Sequence, residues 1–236
     1  MLSSYAQEER LERFATVLAQ RTKGVRFVFE NPANVNNCWA ALRTFDACGI
    51  QYTDIVLDDT AYYNKERVGS MVSALGSQKW MSIAKHKSTP ECVDSLKARG
   101  YRVAVADLHH PATVPLSQVD FTAGPTAIVL GNEKTGASAA AREAADIHFF
   151  VPMKGFSESL NVSAFVAMMC GKLEAQGALS AEETSHGAIP KAEKDRIYLT
   201  WLARSVPGSI ALLRRAGLDL QGNRIWENFA GYTTKP

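Results

Sequence analysis

Short apolar runs rich in β-branched and aromatic residues recur along the chain at 25–30 (VRFVFE), 53–57 (TDIVL), 80–84 (WMSIA), 102–106 (RVAVA), 126–130 (TAIVL) and 147–151 (IHFFV). Between them lie segments with helical spacing, near 37–48, 66–75, 90–99 and 138–145, and a longer one follows at 159–176. Strands alternating with helices predict an α/β fold with a largely parallel sheet. No internal repeat or low-complexity tract interrupts the pattern.

Both ends read as additions to that core. Residues 5–22 place Leu11, Phe14, Ala15 and Leu18 on one face at helical spacing, beside Arg10, Arg13 and Arg21, with Lys23 just beyond. A polar stretch, 180–195, precedes a second helical segment at 193–216. There Trp201, Leu202, Ile210, Leu212 and Leu213 accompany Arg204, Arg214 and Arg215. Taken alone, each segment is an amphipathic helix with a solvated basic face.

Composition narrows the class. The 236 residues suffice for one α/β domain with additions, and 46% hydrophobic content with 21% charged is ordinary for a globular protein. A formal net charge of +2 gives little overall steering toward nucleic acid, so any RNA site must come from a local patch. The N-terminal stretch has no long apolar run and carries Glu8, Glu9 and Glu12, which predicts neither signal, span nor transit peptide. A cytoplasmic location is the expectation. Cys38, Cys48, Cys92 and Cys170 form no CxxC pair and read as small buried thiols.

Three stretches could carry chemistry. TAIVLGNEKTG at 126–136 runs from a strand through Gly131 and Gly136 into an Ala-rich helix. Open α/β sheets bind ligands beyond such strand ends, but neither Walker nor GxGxxG spacing is present, and taken alone a plain structural turn is the better reading. IHFFVPMKGFSESLNVS at 147–163 again ends a strand in a loop, with Ser157 and Ser159 as candidate N-caps. Its downstream positions Leu160, Ala164, Ala167, Met168 and Gly171 read as core packing. ENPANVNNCWAALRTFDACG at 30–49 leads from a strand into a helix with Ala41, Leu42, Phe45 and Cys48 as apolar positions. Arg43 falls near the buried side of that helix, where its charge requires an acidic partner or a phosphate. His109 and His110 sit in a turn, and His86, His148 and His186 lack companions at metal-ligand spacing, so no metal is expected.

In this order, the three stretches resemble the SpoU/TrmH branch of the SPOUT methyltransferases. The family's Asn six residues before an Arg-Thr pair is matched by Asn37 and Arg43-Thr44. Its LGxExxG is matched from Leu130 to Gly136, and its [IV]PMxGxxxSLNVS from Val151 to Ser163. ALGSQKWM at 74–81 resembles a further family stretch. The likeness spans approximately 10–176 and continues more faintly to Trp201.

The resemblance implies a SPOUT-type α/β fold with a deep C-terminal trefoil knot and helical extensions at both ends. The implied domains are an RNA-binding extension at 1–23, a methyltransferase core at 24–178 with the knot near 126–176, and a second extension at 179–236. It implies S-adenosylmethionine as cofactor, S-adenosylhomocysteine as product and a homodimeric enzyme. Ala106, Leu130, Gly131, Val151, Met153 and Leu160 would line the cofactor pocket. Arg43, with Asn37, Glu133, Ser159 and Asn161, would serve a ribose 2′-hydroxyl. Helices at both ends point to the subgroup that methylates the D-loop guanosine at position 18 of tRNA, making Arg10, Arg13, Arg21 and Lys23 an RNA-gripping set. Methylation of ribosomal RNA or of the tRNA anticodon loop, and a non-catalytic RNA-binding assembly factor, are the alternatives at this point.

Overall fold

A computed structural model describes residues 3, 6–58, 76–108, 110–209 and 211. The predicted helix at 66–75, His109, and Ile210, Leu212, Leu213, Arg214 and Arg215 lie outside these. Two compact units divide the chain: Thr22–Ala188, and the two ends, Met1–Arg21 with Ile189–Pro236.

The larger unit contains strands β1 (Val25–Glu30), β2 (Tyr52–Val56), β3 (Ser82–His86), β4 (Arg102–Ala106), β5 (Val114–Pro115), β6 (Thr126–Leu130) and β7 (Ile147–Phe150). They form one sheet in the order β3-β2-β1-β6-β4-β7-β5. Every strand pair is parallel, as the alternating pattern predicts. Only β5 had no sequence signal, since two residues cannot show a period. The apolar run at 80–84 enters the sheet two residues later than expected, at Ser82, because Trp80 closes a short 3-10 turn.

Helices cover both faces. In this unit they are α2 (Val35–Ala47), α3 (Thr89–Lys97), α4 (Ala139–Ala144) and α5 (Val162–Ala175), with α1 reserved for the N-terminal helix described below. One core joins Phe27, Phe29, Ile128 and Phe149 of the sheet to Trp39, Leu42 and Phe45 of α2 and Val166, Met169 and Leu173 of α5. The other joins Val28, Val56, Val103 and Val129 to Cys92, Val93 and Leu96 of α3 and Ala141 of α4. Because side chains alternate across a strand, Phe27 and Val28 serve opposite faces.

The core face of α5 differs from expectation. Val166, Met169, Cys170 and Leu173 are buried, whereas Leu160, Ala164, Ala167 and Gly171 are exposed and Met168 is half-buried. Nearly all of this helix is apolar, so periodicity offered two faces, and the larger side chains took the inner one. Its N-cap is Asn161, whose side chain accepts from the Ser163 N–H at 2.9 Å, rather than Ser157 or Ser159.

Arg26, Asp54 and His86 form a buried polar line across the α3 side of the sheet. Arg26 Nε donates to Asp54 Oδ2 at 2.7 Å, and His86 Nε2 lies 2.8 Å from Asp54 Oδ1. Burial pushes the Asp54 carboxyl up, but the His86 hydrogen bond and the Arg26 guanidinium outweigh it and hold it below the ordinary range. Cys92 adds a thiol, placing three metal-ligand types within 4.8 Å of one another. His86 therefore has companions that linear spacing could not reveal. The guanidinium already occupies the carboxylate, and burial raises the Cys92 thiol to about 12, so this is an ion-paired core.

In the smaller unit, α1 (Glu8–Ala19) and α6 (Lys191–Ser205) pack together. Phe14 meets the rings of Tyr198 and Trp201 edge-on, with centroids 6.1 and 5.8 Å apart. Phe14 and Leu18 are buried and Leu11 is half-buried, as predicted, but Ala15 is exposed. The two chain ends thus share one apolar contact. The polar stretch after residue 178 begins within the larger unit, where Gly187 O accepts from the Lys23 N–H at 2.9 Å.

Candidate active site

A run of polar side chains lies past the C-terminal ends of β1, β6 and β7, where loops enter α2, α4 and α5. In open parallel sheets ligands bind in the crevice beyond the carboxyl ends of the strands, where the following loops diverge. Glu133, in the loop after β6, accepts from the Ala33 N–H at 2.6 Å and from Asn37 Nδ2 at 2.9 Å. Asn37, on the first turn of α2, accepts through Oδ1 from Asn161 Nδ2 at 3.2 Å. Asn161 in turn uses its own Oδ1 to accept from Ser163 N–H and Oγ–H at 2.9 and 2.7 Å. A carboxylate at one end and a helix N-terminus at the other set the orientation of both amides. All three predicted stretches meet in this chain of hydrogen bonds.

The loop that supplies Glu133 is tightly folded. Asn132 and Gly136 exchange backbone hydrogen bonds of 3.0 and 2.8 Å, and Gly136 takes φ +73°. A Cβ on Gly131 would overlap the main chain of Gly136 and Ala137, so only glycine permits this approach.

The predicted cofactor residues occupy the ends of three adjacent strands. Ala106 closes β4, Leu130 and Gly131 end β6, and Val151 and Met153 follow β7. Leu130 is buried, Ala106, Gly131, Val151 and Met153 are half-buried, and Leu160 is exposed.

Two arginines sit otherwise than predicted. Arg43 is exposed on the outer face of α2 with Asn36 and Ala47, and makes no hydrogen bond or ion pair among the described residues. Arg43 is therefore not near the buried side of α2, where its charge would have required an acidic partner or a phosphate; Ala41, Leu42 and Phe45 take the inner face. Arg21 is 1% exposed, its guanidinium 5.4 Å from the Trp201 ring centroid. It helps hold α1 to α6 through a cation–π contact and offers no charge to an RNA phosphate. Arg10 and Arg13 are exposed, and Lys23 is half-buried. Ser159 is exposed and makes no hydrogen bond among the described residues.

Sequence reasoning missed Glu30, Asn31 and Asn132. Glu30 ends β1, 2% exposed, and accepts from the hydroxyls of Thr89 and Ser138. A carboxylate inside a buried strand pattern was the available signal.

His148 of β7 is stacked on His110, with ring centroids 3.5 Å apart and planes 9° from parallel. Burial, then the neighbouring His110, holds its pKa below the ordinary histidine value. Cys38, Cys92 and Cys170 are buried free thiols, as the scattered spacing suggested, and Cys48 is half-buried. No helix among the described residues is long and apolar enough to cross a membrane.

Comparison with known proteins agrees with this geometry. Residues 24–171 match the model of the SpoU rRNA Methylase family. A tRNA (guanosine(18)-2′-O)-methyltransferase of Aquifex aeolicus is 32% identical over 198 residues, 81% of this chain and 90% of that protein. Its namesake from Borreliella burgdorferi is 31% identical over 169 residues, 72% of this chain and 74% of that one. The crystal structure of the A. aeolicus TrmH/SpoU tRNA modifying enzyme superposes with a TM-score of 0.70 at 29% identity, covering 84% of this chain and 98% of that one. With its three motifs joined at one sheet edge and the family match spanning that whole unit but for its margins, the chain belongs to the SpoU methylase family.

Proposed function

We propose that this protein transfers a methyl group from S-adenosylmethionine to the ribose 2′-hydroxyl of the D-loop guanosine at position 18 of tRNA, the position named for its relatives. We place it in the cytoplasm as a homodimer, with residues 126–176 forming the trefoil knot implied by the family resemblance. The observation that carries the reading is Asn37, which binds Glu133 with its amide nitrogen and Asn161 with its amide oxygen. A residue engaged by both other motifs is what a single shared site requires.

Ala106, Leu130, Gly131, Val151, Met153 and Leu160 hold the cofactor. What it brings when bound is a methyl group already electrophilic on a sulfonium sulfur, with S-adenosylhomocysteine as product. The difficulty left to the protein is the nucleophile, a ribose hydroxyl that is protonated at neutral pH. Arg43 does not remove that proton, because a charged guanidinium has no lone pair to accept it; the proton passes to solvent water. Exposed, and unpaired among the described residues, it is available to hold a backbone phosphate and to stabilise negative charge developing on the 2′-oxygen. Asn37, Glu133, Ser159 and Asn161 orient the ribose. Arg10 and Arg13 on α1, with Lys23, attract the RNA backbone.

Transfer of labelled methyl to an unmodified tRNA transcript, followed by mapping of the modified nucleotide, tests the reading. One 2′-O-methyl at guanosine 18 is expected. Label confined to an anticodon nucleotide or to ribosomal RNA overturns the assigned target. Absence of S-adenosylmethionine binding by calorimetry overturns the enzyme.

A further inference from the structure

We infer that Glu30 and Asn31, the last residue of β1 and the first beyond it, form a positioning clamp for the 131–138 loop. The inference rests on the reading above, in which this loop helps hold S-adenosylmethionine. Both open the 30–49 stretch but precede its family motif, Asn37 to Thr44, and neither need touch a ligand.

The loop leaves β6 at Gly131 and reaches the N-cap of α4 at Ser138. At its start, Asn132 Nδ2 donates to the Asn31 carbonyl at 2.6 Å. At its end, Ser138 donates twice to Glu30, from N–H to Oε2 at 2.8 Å and from the hydroxyl to Oε1 at 2.6 Å. Glu30 Oε1 also accepts from the hydroxyl of Thr89, the first residue of α3. Two consecutive residues of one strand end thus grip both ends of the loop. Arg142 closes the same end by donating to the Ala137 carbonyl at 2.5 Å.

Two features show that this grip is specific. Glu30 is 2% exposed, and its hydrogen-bond partners among the described residues are two hydroxyls and one amide, all neutral. Burying a carboxylate without a counter-charge is costly, and an apolar residue would fill the space more cheaply. What the carboxylate adds is acceptor capacity: Oε1 takes the hydroxyls of both Thr89 and Ser138, joining α3 to the loop, while Oε2 takes the Ser138 N–H. Asn31, for its part, has φ +44°, the only positive value at a non-glycine among the described residues. It is held there by Asp58: Asn31 Nδ2 donates to Asp58 Oδ2 at 2.7 Å, and Asp58 N–H donates to Asn31 Oδ1 at 3.1 Å. A left-handed turn at this point directs the Asn31 carbonyl to Asn132.

Loosening the clamp would move the backbone around Leu130 and Gly131 before it disturbed the exposed arginines of α1 and α2. Cofactor affinity and RNA affinity should therefore separate. The test uses the full chain, at a temperature where circular dichroism shows each variant folded, and measures S-adenosylmethionine and tRNA-transcript binding. Glu30→Ala is expected to weaken cofactor binding about tenfold or more, from loss of buried hydrogen bonds, with tRNA binding within about twofold. Glu30→Gln should restore cofactor affinity to within about threefold, because its amide oxygen can face the Ser138 N–H while its nitrogen donates to two hydroxyls able to accept. Ser138→Ala removes two bonds from a half-buried position, the hydroxyl's bond to Glu30 and the N-cap bond from the Ala141 N–H, and should weaken cofactor binding about threefold. Wild-type affinity in Ser138→Ala or in a folded Glu30→Ala overturns the clamp, as does a Glu30→Gln as weak as the alanine variant. A wild-type protein that binds no S-adenosylmethionine overturns the cofactor reading itself and the clamp with it.

Discussion

Arg43 directs its charge into solvent from the outer face of α2, and that placement decides what it can do. An arginine neutralised inside the core would be unavailable to RNA; an exposed one is ready for a phosphate. Lysine retains the charge but not the planar fork of donors, so Arg43→Lys is expected to lower the single-turnover rate at saturating RNA by about a hundredfold. A rate near wild type would remove the guanidinium from the chemistry. His148 gives a prediction about stability. Its folded pKa is lowered, so the unfolded chain takes up a proton near the ordinary value of ~6.5 that the folded chain resists. Below that pH the unfolded state binds more protons, and stability falls as pH falls. Above it the penalty is absent. Urea midpoints measured from pH ~7 to ~5 should therefore decline less steeply in His148→Gln than in the wild type. Equal slopes would show that His148 contributes nothing to the acid sensitivity.

Among the elements, the loop after β6 is tightly constrained. Gly131→Ala places a methyl group against the Gly136 and Ala137 main chain. Backbone cannot yield as a flexible side chain would, so a loss of about 2–3 kcal/mol in urea unfolding is expected, together with loss of S-adenosylmethionine binding. Unchanged stability would mean that the loop opens without cost. The strands and helices of this region were legible because their apolar runs and turn residues are local signals. Glu30, Asn31 and Asn132 were not, since each acts on residues distant in sequence, as Glu30 does on Thr89 and Ser138. The same limit explains α5, where composition marked a helix but only its neighbours chose which apolar face went inward.

On the scale of the molecule, the outer face of α5 is left with Ala164, Ala167 and Gly171 exposed, close in sequence to exposed Leu160 and Phe156. Small residues let a second helix approach closely, and exposed apolar side chains beside them favour a covered surface. If the proposed homodimer uses this face, Ala167→Glu should sediment as a monomer while retaining its circular dichroism. A dimer unaffected by that charge would place the interface elsewhere. The unit made from the two chain ends is a second result at this scale. Two amphipathic patterns, separated by most of the chain, proved to be halves of one helical pair, with Arg21 enclosed beside Trp201.

By itself the sequence determined the parallel α/β class, most element positions, and the three stretches that share a site, because period, turn chemistry and motif spacing are written locally. Tertiary structure alone decided which of the basic residues remain at the surface, since Arg21 and Arg10 share one helix pattern and differ only in what packs on them. It also decided that Asn37 joins Glu133 to Asn161, and that a buried glutamate at the end of β1 holds the loop between them. Hydrogen bonds between residues about a hundred positions apart leave no period in a sequence. They arise only when parallel strands bring their ends to one edge.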